Sequence, residues 1–234
     1  MEMQPQMIEP AWDCVMIQEW LFWDNETCMK QIDTGNRKDK KKGKMMAQHK
    51  IAVIVGSLRK ESFSRKMAKA LIKLSPDSLT FEIVEIGGLP LYNQDLDDNP
   101  PAAWVEFRER IRKLDGVLFV TPEYNRSVPG VLKNAIDVGS RPYGKSVWDG
   151  KPGGVMSVSP GAIGGFGANH HLRQSMVFLN VPVMQQPEAY IGNAANLFDW
   201  EGNLTSDSTR EPAAKFMRAF AVWVATIAPG CSFR

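Results

Sequence analysis

Short apolar runs alternate with segments of helical spacing from about residue 50 onward. The apolar runs predict five strands, and the periodic segments predict helices between them. Continuous apolar runs are typical of a parallel sheet that is buried between layers of helices. The predicted strands are residues 51–55, 79–86, 116–121, 154–158 and 181–185. The predicted helices are about residues 63–72, 104–114, 131–138, 168–179 and 213–227.

This alternation predicts the α/β class. Right-handed crossovers restrict such units to a few sheet orders, and we expect a flavodoxin-like three-layer α/β/α sandwich with a five-stranded parallel sheet. Such sheets bind ligands at the carboxyl ends of their strands, near the point where the strand order reverses. Three loops, residues 56–64, 121–129 and 157–167, should therefore meet at one edge.

The first loop, residues 56–64, is small and rich in hydroxyl groups, and it leads into a predicted helix. The free amide groups and the positive dipole end of such a helix attract phosphate. Ser57, Ser62 and Ser64 would add hydroxyl donors, and Arg59 would add a guanidinium that can hold two phosphate oxygens. The loop lacks the motifs of a nucleoside triphosphatase and of a dinucleotide-binding turn, which favours a monophosphate. The structural alternative is a plain connection with an N-cap.

The middle loop, residues 121–129, contains two prolines that stiffen it. Tyr124 offers an aromatic face beside the polar groups of Asn125 and Ser127, which suits a flat heteroaromatic ring. The structural alternative is a rigid connection that packs a tyrosine.

The third loop, residues 157–167, has little side-chain bulk, so its backbone can approach a ligand closely. Its Gly-Phe-Gly sequence at 165–167 is not a dinucleotide-binding turn, because His170 stands where the third glycine belongs. The loop also follows the fourth predicted strand rather than the first.

Composition fits one domain with a large core, since the 234 residues are 44% hydrophobic and carry a net charge of +2. This charge does not indicate a nucleic-acid partner. Cys14, Cys28 and Cys231 are far apart, so we expect neither a disulfide framework nor a zinc site. No run approaches the roughly 18 apolar residues of a membrane span, and the first residues do not resemble an export signal. We therefore expect a soluble, cytoplasmic protein.

The chain divides into two parts, an N-terminal extension at residues 1–48 and one domain at residues 49–234. The domain is mildly basic, with 21 Lys and Arg against 18 Asp and Glu. We expect the extension to be poorly ordered, and a native start at Met45 or Met46 would exclude it. It could instead form a docking helix, because several apolar side chains recur at helical spacing. These are Trp12, Met16, Trp20 and Trp23.

Three segments together resemble the NADPH-dependent FMN reductase family, particularly its bacterial chromate and quinone reductase branch. They are residues 56–63 (Gly-Ser-Leu-Arg-Lys-Glu-Ser-Phe), 121–125 (Thr-Pro-Glu-Tyr-Asn) and 129–137 (Pro-Gly-Val-Leu-Lys-Asn-Ala-Ile-Asp). The resemblance spans about residues 50–228. Two positions depart from the family pattern: Ser64 stands where asparagine is frequent, and Val138 where tryptophan usually follows the aspartate.

The resemblance implies that residues 57–64 hold the FMN phosphate, that residues 123–126 line the isoalloxazine ring, and that Ser159 lies near the other edge of the flavin. The expected cofactor-binding residues are Ser57, Leu58, Arg59, Lys60, Glu61, Ser62, Phe63, Ser64, Pro122, Glu123, Tyr124, Asn125, Arg126, Ser159 and Gly161.

The resemblance also implies a reaction. NADPH or NADH would give a hydride to flavin N5, and quinone, chromate or another oxidant would take the electrons, with ping-pong kinetics and no catalytic side chain. Arg126 and Arg141 could attract an anionic substrate by their charge, although exposed arginines are more often solvated. Relatives form dimers or tetramers, and the helices bearing Val138, His170 and Phe178 could bury such an interface.

A different class of function remains open at this stage, a flavin-binding electron carrier or redox-sensing interaction protein. The mildly basic domain favours the enzyme, because carriers that dock on basic partners are usually acidic. An azoreductase, or a reductase that releases reduced FMN, is a further possibility. We expect no metal, since His170 and His171 point about 100° apart on a helix. Likewise, the acidic turn at residues 95–98 lacks the length and the glycine of a calcium loop.

Overall fold

The structure, a computed structural model, describes residues 48–228. Its sheet has five parallel strands in the order β2-β1-β3-β4-β5. This is the doubly wound order of flavodoxin-like proteins, so the predicted fold class is confirmed. The strands are β1 His49–Val55, β2 Leu79–Ile83, β3 Gly116–Thr121, β4 Gly153–Val158 and β5 Ala189–Ile191.

Helices cover both faces of the sheet. They are α1 Phe63–Leu74, α2 Ala102–Arg112, α3 Gly130–Gly139, α4 Phe166–Phe178 and α5 Asp207–Ile227. Short 3₁₀ turns occupy Gln94–Leu96 and Ala194–Asn196. Side chains of β1 alternate between two apolar clusters: Ile51 and Val53 pack with α1 and α5, whereas Ala52 and Ile54 pack with α2, α3 and α4. This alternation explains why the strand is apolar on both faces.

The fifth strand was predicted at residues 181–185, and this prediction is wrong. Only Val183 of that segment forms a bridge to β4, opposite Gly153. The chain then passes through Pro187, which has no amide hydrogen to donate, and pairing resumes at Ala189–Ile191 beside Met156 and its successors. An apolar run beside a sheet edge therefore does not define a strand by itself.

The helices bearing Val138, His170 and Phe178 could bury an intersubunit surface, and this expectation stays a prediction, although Val138 itself cannot contact a partner. The Val138 side chain is fully buried in the cluster under α2, α3 and α4. A second buried residue, Trp148, packs directly against Gly139 of α3. A Cβ added to this glycine would lie only 2.5 Å from the indole ring. The expectations for residues 1–47, and for Cys231, lie outside the described residues. Within residues 48–228, no helix is long and apolar enough to cross a membrane.

Candidate functional site

A cavity of about 180 Å³ lies at the carboxyl ends of β1, β3 and β4. The three loops that follow these strands form its walls, as the strand order requires. Its lining residues are Ser57, Arg59, Ser62, Phe63, Ser64, Pro122, Glu123, Tyr124, Val158, Ser159 and Pro160.

The first wall is the start of α1. Ser62 caps this helix, and its Oγ accepts a hydrogen bond from the Arg65 amide at 3.2 Å. The amides of Phe63 and Ser64 precede any intrahelical acceptor, so they remain available at the cavity. Ser57, Ser62 and Ser64 are all buried. This end of the cavity thus combines hydroxyl groups, free amides and the positive end of a helix dipole.

Two neighbouring cations are already paired. Arg65 donates to both carboxylate oxygens of Glu85, at 2.8 and 2.6 Å, and these hydrogen bonds lower the pKa of Glu85 and raise that of Arg65. The hydrogen bond from Lys66 likewise lowers the pKa of Glu61. Arg59, in contrast, lines the cavity, and its guanidinium has no ion pair within residues 48–228. Among the residues that line the cavity, it is therefore the cation that can meet an anion.

The second wall is a tight turn. Tyr124 and Ser127 exchange backbone hydrogen bonds of 3.0 and 2.9 Å, and both central residues, Asn125 and Arg126, have positive φ. Positive φ at both central positions is the feature of a type I′ turn. The turn leaves the Tyr124 side chain 48% exposed beside the cavity.

The third wall is the loop after β4. The Ser159 amide donates to the carbonyl of Ile191 at 2.9 Å, and the Ser159 Oγ accepts from the Gly161 amide at 3.1 Å. Gly164 has φ +68°, and an added Cβ would lie 2.6 Å from the carbonyl carbon of Tyr190. Glycine at this position therefore lets the loop lie close against β5.

Not every residue expected from the sequence lines the cavity. Leu58, Lys60, Glu61, Asn125, Arg126 and Gly161 flank the lining residues without joining them. Val158 and Pro160 do line it, and sequence reasoning missed both. Both belong to the third predicted loop, residues 157–167, but neither is among the residues expected to bind the cofactor.

Arg141 lies elsewhere, in a groove of about 690 Å³ between α3 and α4. Ser127, Lys133, His171 and Phe178 also line this groove. Lys133 forms an ion pair with Asp137 at 2.8 Å, and His171 Nδ1 lies 3.0 Å from Ser127 Oγ. The groove therefore begins at the turn that forms the second wall of the cavity.

The two adjacent histidines have separate partners. His170 Nε2 lies 3.0 Å from the hydroxyl of Tyr190, whereas His171 contacts Ser127. Burial and a hydrogen bond to Glu188 raise the pKa of Tyr190 to about 12, so its hydroxyl stays protonated at neutral pH. Among residues 48–228, no three His, Cys, Asp or Glu side chains are grouped as metal ligands.

The donor set of the cavity fits FMN. Hydroxyl groups, helix amides and one unpaired arginine suit a phosphomonoester, and the half-exposed Tyr124 suits a flat ring. Ligand pockets usually enclose about 300–1,000 Å³, so a cavity of about 180 Å³ can enclose only part of such a molecule. The remainder of the ligand would lie along the rim and face solvent.

Comparisons with known proteins agree with this chemistry. The family model for NADPH-dependent FMN reductase matches residues 49–196. A quinone reductase of Pseudomonas putida is 65% identical over 181 residues, which cover 77% of this chain and 97% of that protein. A 2-hydroxy-1,4-benzoquinone reductase of Burkholderia sp. is 50% identical over 175 residues, covering 75% of this chain and 96% of that protein.

A solved structure leads to the same family. FerB, a flavoenzyme NAD(P)H:(acceptor) oxidoreductase from Paracoccus denitrificans, is 41% identical with a TM-score of 0.73, covering 76% of this chain and 98% of its own. Together these matches confirm the expected enzyme class, an oxidoreductase that uses FMN and a nicotinamide donor. The chain therefore belongs to the NADPH-dependent FMN reductase family.

Proposed function

We propose that this protein transfers electrons from NADPH or NADH to quinones through FMN held at the carboxyl edge of the sheet. The observation that carries the proposal is the meeting of a phosphate cradle, at the start of α1, with an exposed aromatic turn in one partly open cavity. The quinone reductase names of the similar proteins from Pseudomonas putida and Burkholderia sp. support the choice of acceptor.

The residues of this chain bind and orient the cofactor. Ser57, Ser62 and Ser64 donate hydrogen bonds to the phosphate, together with the first amides of α1, and Arg59 neutralises its charge. When bound, FMN supplies the redox chemistry, accepting a hydride from the nicotinamide and passing electrons on to the acceptor. The other expected residues of the site, Leu58, Lys60, Glu61, Asn125 and Gly161, remain predictions, as does each lining residue.

The open rim sets the range of acceptors. Tyr124 is half exposed, and the Arg126 side chain at the tip of its turn is 74% exposed. A flat donor or acceptor can therefore reach the rim without a conformational change, which supports turnover of several oxidants, chromate included. Arg126 is the nearer candidate to attract the NADPH phosphate, because Arg141 lies in the α3–α4 groove.

A second copy of this chain is the proposed partner, with a homodimer or homotetramer as the assembly. Phe178, which is 82% exposed, lines the groove between α3 and α4, and the adjacent Val177, which is 81% exposed, lines a separate surface pocket. Two such side chains on one helix are unusual at a surface that only meets water. We also propose a cytoplasmic location, where reduced nicotinamides are available to the enzyme.

The visible spectrum of the purified protein tests this proposal. We expect a flavin spectrum that bleaches with NADPH under anaerobic conditions and returns when a quinone is added. Bound flavin that NADPH does not bleach would indicate an electron carrier instead. Absence of flavin, even after FMN is supplied, would contradict the proposal outright.

A further inference from the structure

Glu123 belongs to the segment that the family resemblance places against the flavin ring, but its carboxylate points into the protein. Glu123 Oε2 accepts a hydrogen bond from the Ala168 amide at 3.1 Å, and Oε1 lies 3.4 Å from Arg126 Nη1. The side chain is only 13% exposed. The contact with Ala168 joins residues 45 positions apart in the sequence.

The helix that receives this contact has no cap of its own. Gly165 occupies the N-cap position of α4 and carries no side chain, and the first turn contains no acidic residue. The first amides of a helix need acceptors, and a carboxylate there also meets the positive end of the dipole. Glu123 therefore supplies, from the second wall of the cavity, the cap that α4 lacks.

The Tyr124–Ser127 turn and the start of α4 also pack closely against each other. A Cβ added to Gly167 would lie 2.9 Å from Glu123 Oε2 and 2.7 Å from the Arg126 carbonyl oxygen. Gly165 has φ +77°, and its added Cβ would lie 3.1 Å from the Cβ of Ser157. Only residues without a side chain allow the turn and the helix start to approach so closely.

We propose that Glu123 is a positioning residue that braces the Tyr124–Ser127 turn against the start of α4. Glu123 thereby holds the second wall of the cavity, which is this turn, at a set separation from the third wall, the loop that leads into α4. Its effect on the cofactor rests on the proposed FMN site, whereas the brace itself does not. The carboxylate acts on FMN through the position of the turn, because its two oxygens are engaged by the Ala168 amide and the Arg126 guanidinium.

Two substitutions separate the parts of this role. Glu123→Gln keeps an oxygen that can accept from Ala168 but loses the charge, and Glu123→Ala removes both. Asp115→Asn is a matched control, because Asp115 also accepts from a distant backbone amide, that of Lys50 at 2.7 Å, at the opposite edge of the sheet. Each variant is made in the full-length protein and measured with and without FMN.

Hydrogen exchange of the Ala168 amide tests the brace directly. We expect Glu123→Ala to accelerate this exchange in protein without FMN, Glu123→Gln to do so less, and Asp115→Asn to leave it unchanged. An unchanged rate in Glu123→Ala would overturn the brace, whatever the protein does with FMN.

Fluorescence titration with FMN and the visible circular dichroism of bound flavin test the positioning. Loss of a helix cap typically costs a free energy that corresponds to about a fivefold to tenfold change in an equilibrium constant. For Glu123→Ala we expect that increase in the FMN dissociation constant, together with a changed visible circular dichroism. We expect a smaller increase for Glu123→Gln and no change in either quantity for Asp115→Asn. Accelerated exchange with unaltered FMN binding would overturn the positioning role. Failure of the unsubstituted protein to bind FMN would overturn the proposed function and leave only the structural brace.

Discussion

Arg59 is the cation best placed to meet a phosphate, because Arg65 and Lys66 are already engaged by Glu85 and Glu61. At the scale of single residues, the site depends on which charges remain unpaired as much as on which residues are near. A count of basic residues near the start of α1 does not distinguish Arg59 from the two paired cations.

Substitution of Arg59 tests this distinction. Arg59→Ala should raise the FMN dissociation constant about tenfold, because a charge-assisted contact to phosphate is lost. Fluorescence titration measures it, and Lys69→Ala, an exposed cation further along α1, is the control. Equal losses of FMN affinity in the two variants would mean that only the overall positive charge of the protein matters for binding.

Gly56 shows a steric constraint at the same scale. An added Cβ would lie 2.8 Å from Thr121 Oγ1 and 3.1 Å from Leu132 Cδ2, where the ends of β1 and β3 meet. We expect Gly56→Ala to lower the free energy of unfolding by about 1–3 kcal/mol through overpacking. Gly88→Ala is the matched control, because nothing lies within 4 Å of its added Cβ. Urea denaturation of both variants would show whether the effect is local to the site.

At the scale of elements, α1 is tied to the segment after β2 by the Arg65–Glu85 pair. The pair lowers the pKa of Glu85, so its stabilising effect is present above the ordinary carboxyl value of 4.5. That effect is lost as the pH falls through the lowered pKa of the folded state, because the protonated acid cannot keep the ion pair.

This linkage gives a pH-dependent prediction. Glu85→Gln should destabilise the protein at pH 7 by less than about 1 kcal/mol, since the carboxylate is largely exposed. The difference from the unsubstituted protein should shrink as the pH falls below the Glu85 pKa. Urea denaturation across the acid range measures it, with Glu106→Gln, an exposed carboxylate of α2, as the control. A difference that grows in acid would contradict the assigned role of the pair.

At the scale of the whole molecule, the cofactor cavity and the α3–α4 groove share the Tyr124–Ser127 turn as a boundary. A partner seated in the groove would therefore lie next to the rim of the proposed flavin site. The proposed assembly and the proposed catalytic function are thus neighbouring features of one face.

Phe178→Glu tests the assembly. We expect it to shift the protein toward the monomer in size-exclusion chromatography with light scattering, because a charge would be buried in an apolar contact. Val222→Glu on α5 is the control, since Val222 is likewise exposed, at 68%, and lies away from the groove. An unchanged mass for Phe178→Glu would show that Phe178 is not part of an interface between subunits.

The sequence by itself determined the fold class, the family and the capped start of α1 where phosphate binding is proposed, because helical period, apolar runs and loop motifs act over a few neighbouring residues. The prediction at 181–185 was wrong because strand pairing depends on a partner: only Val183 of that segment pairs with β4, and the ladder resumes at β5. Only the tertiary structure decided that Glu123 faces α4, that Arg141 lies in a separate groove and that Val138 is buried. Each of these depends on contacts between distant segments, such as the 45-residue step from Glu123 to Ala168, and no local pattern records them.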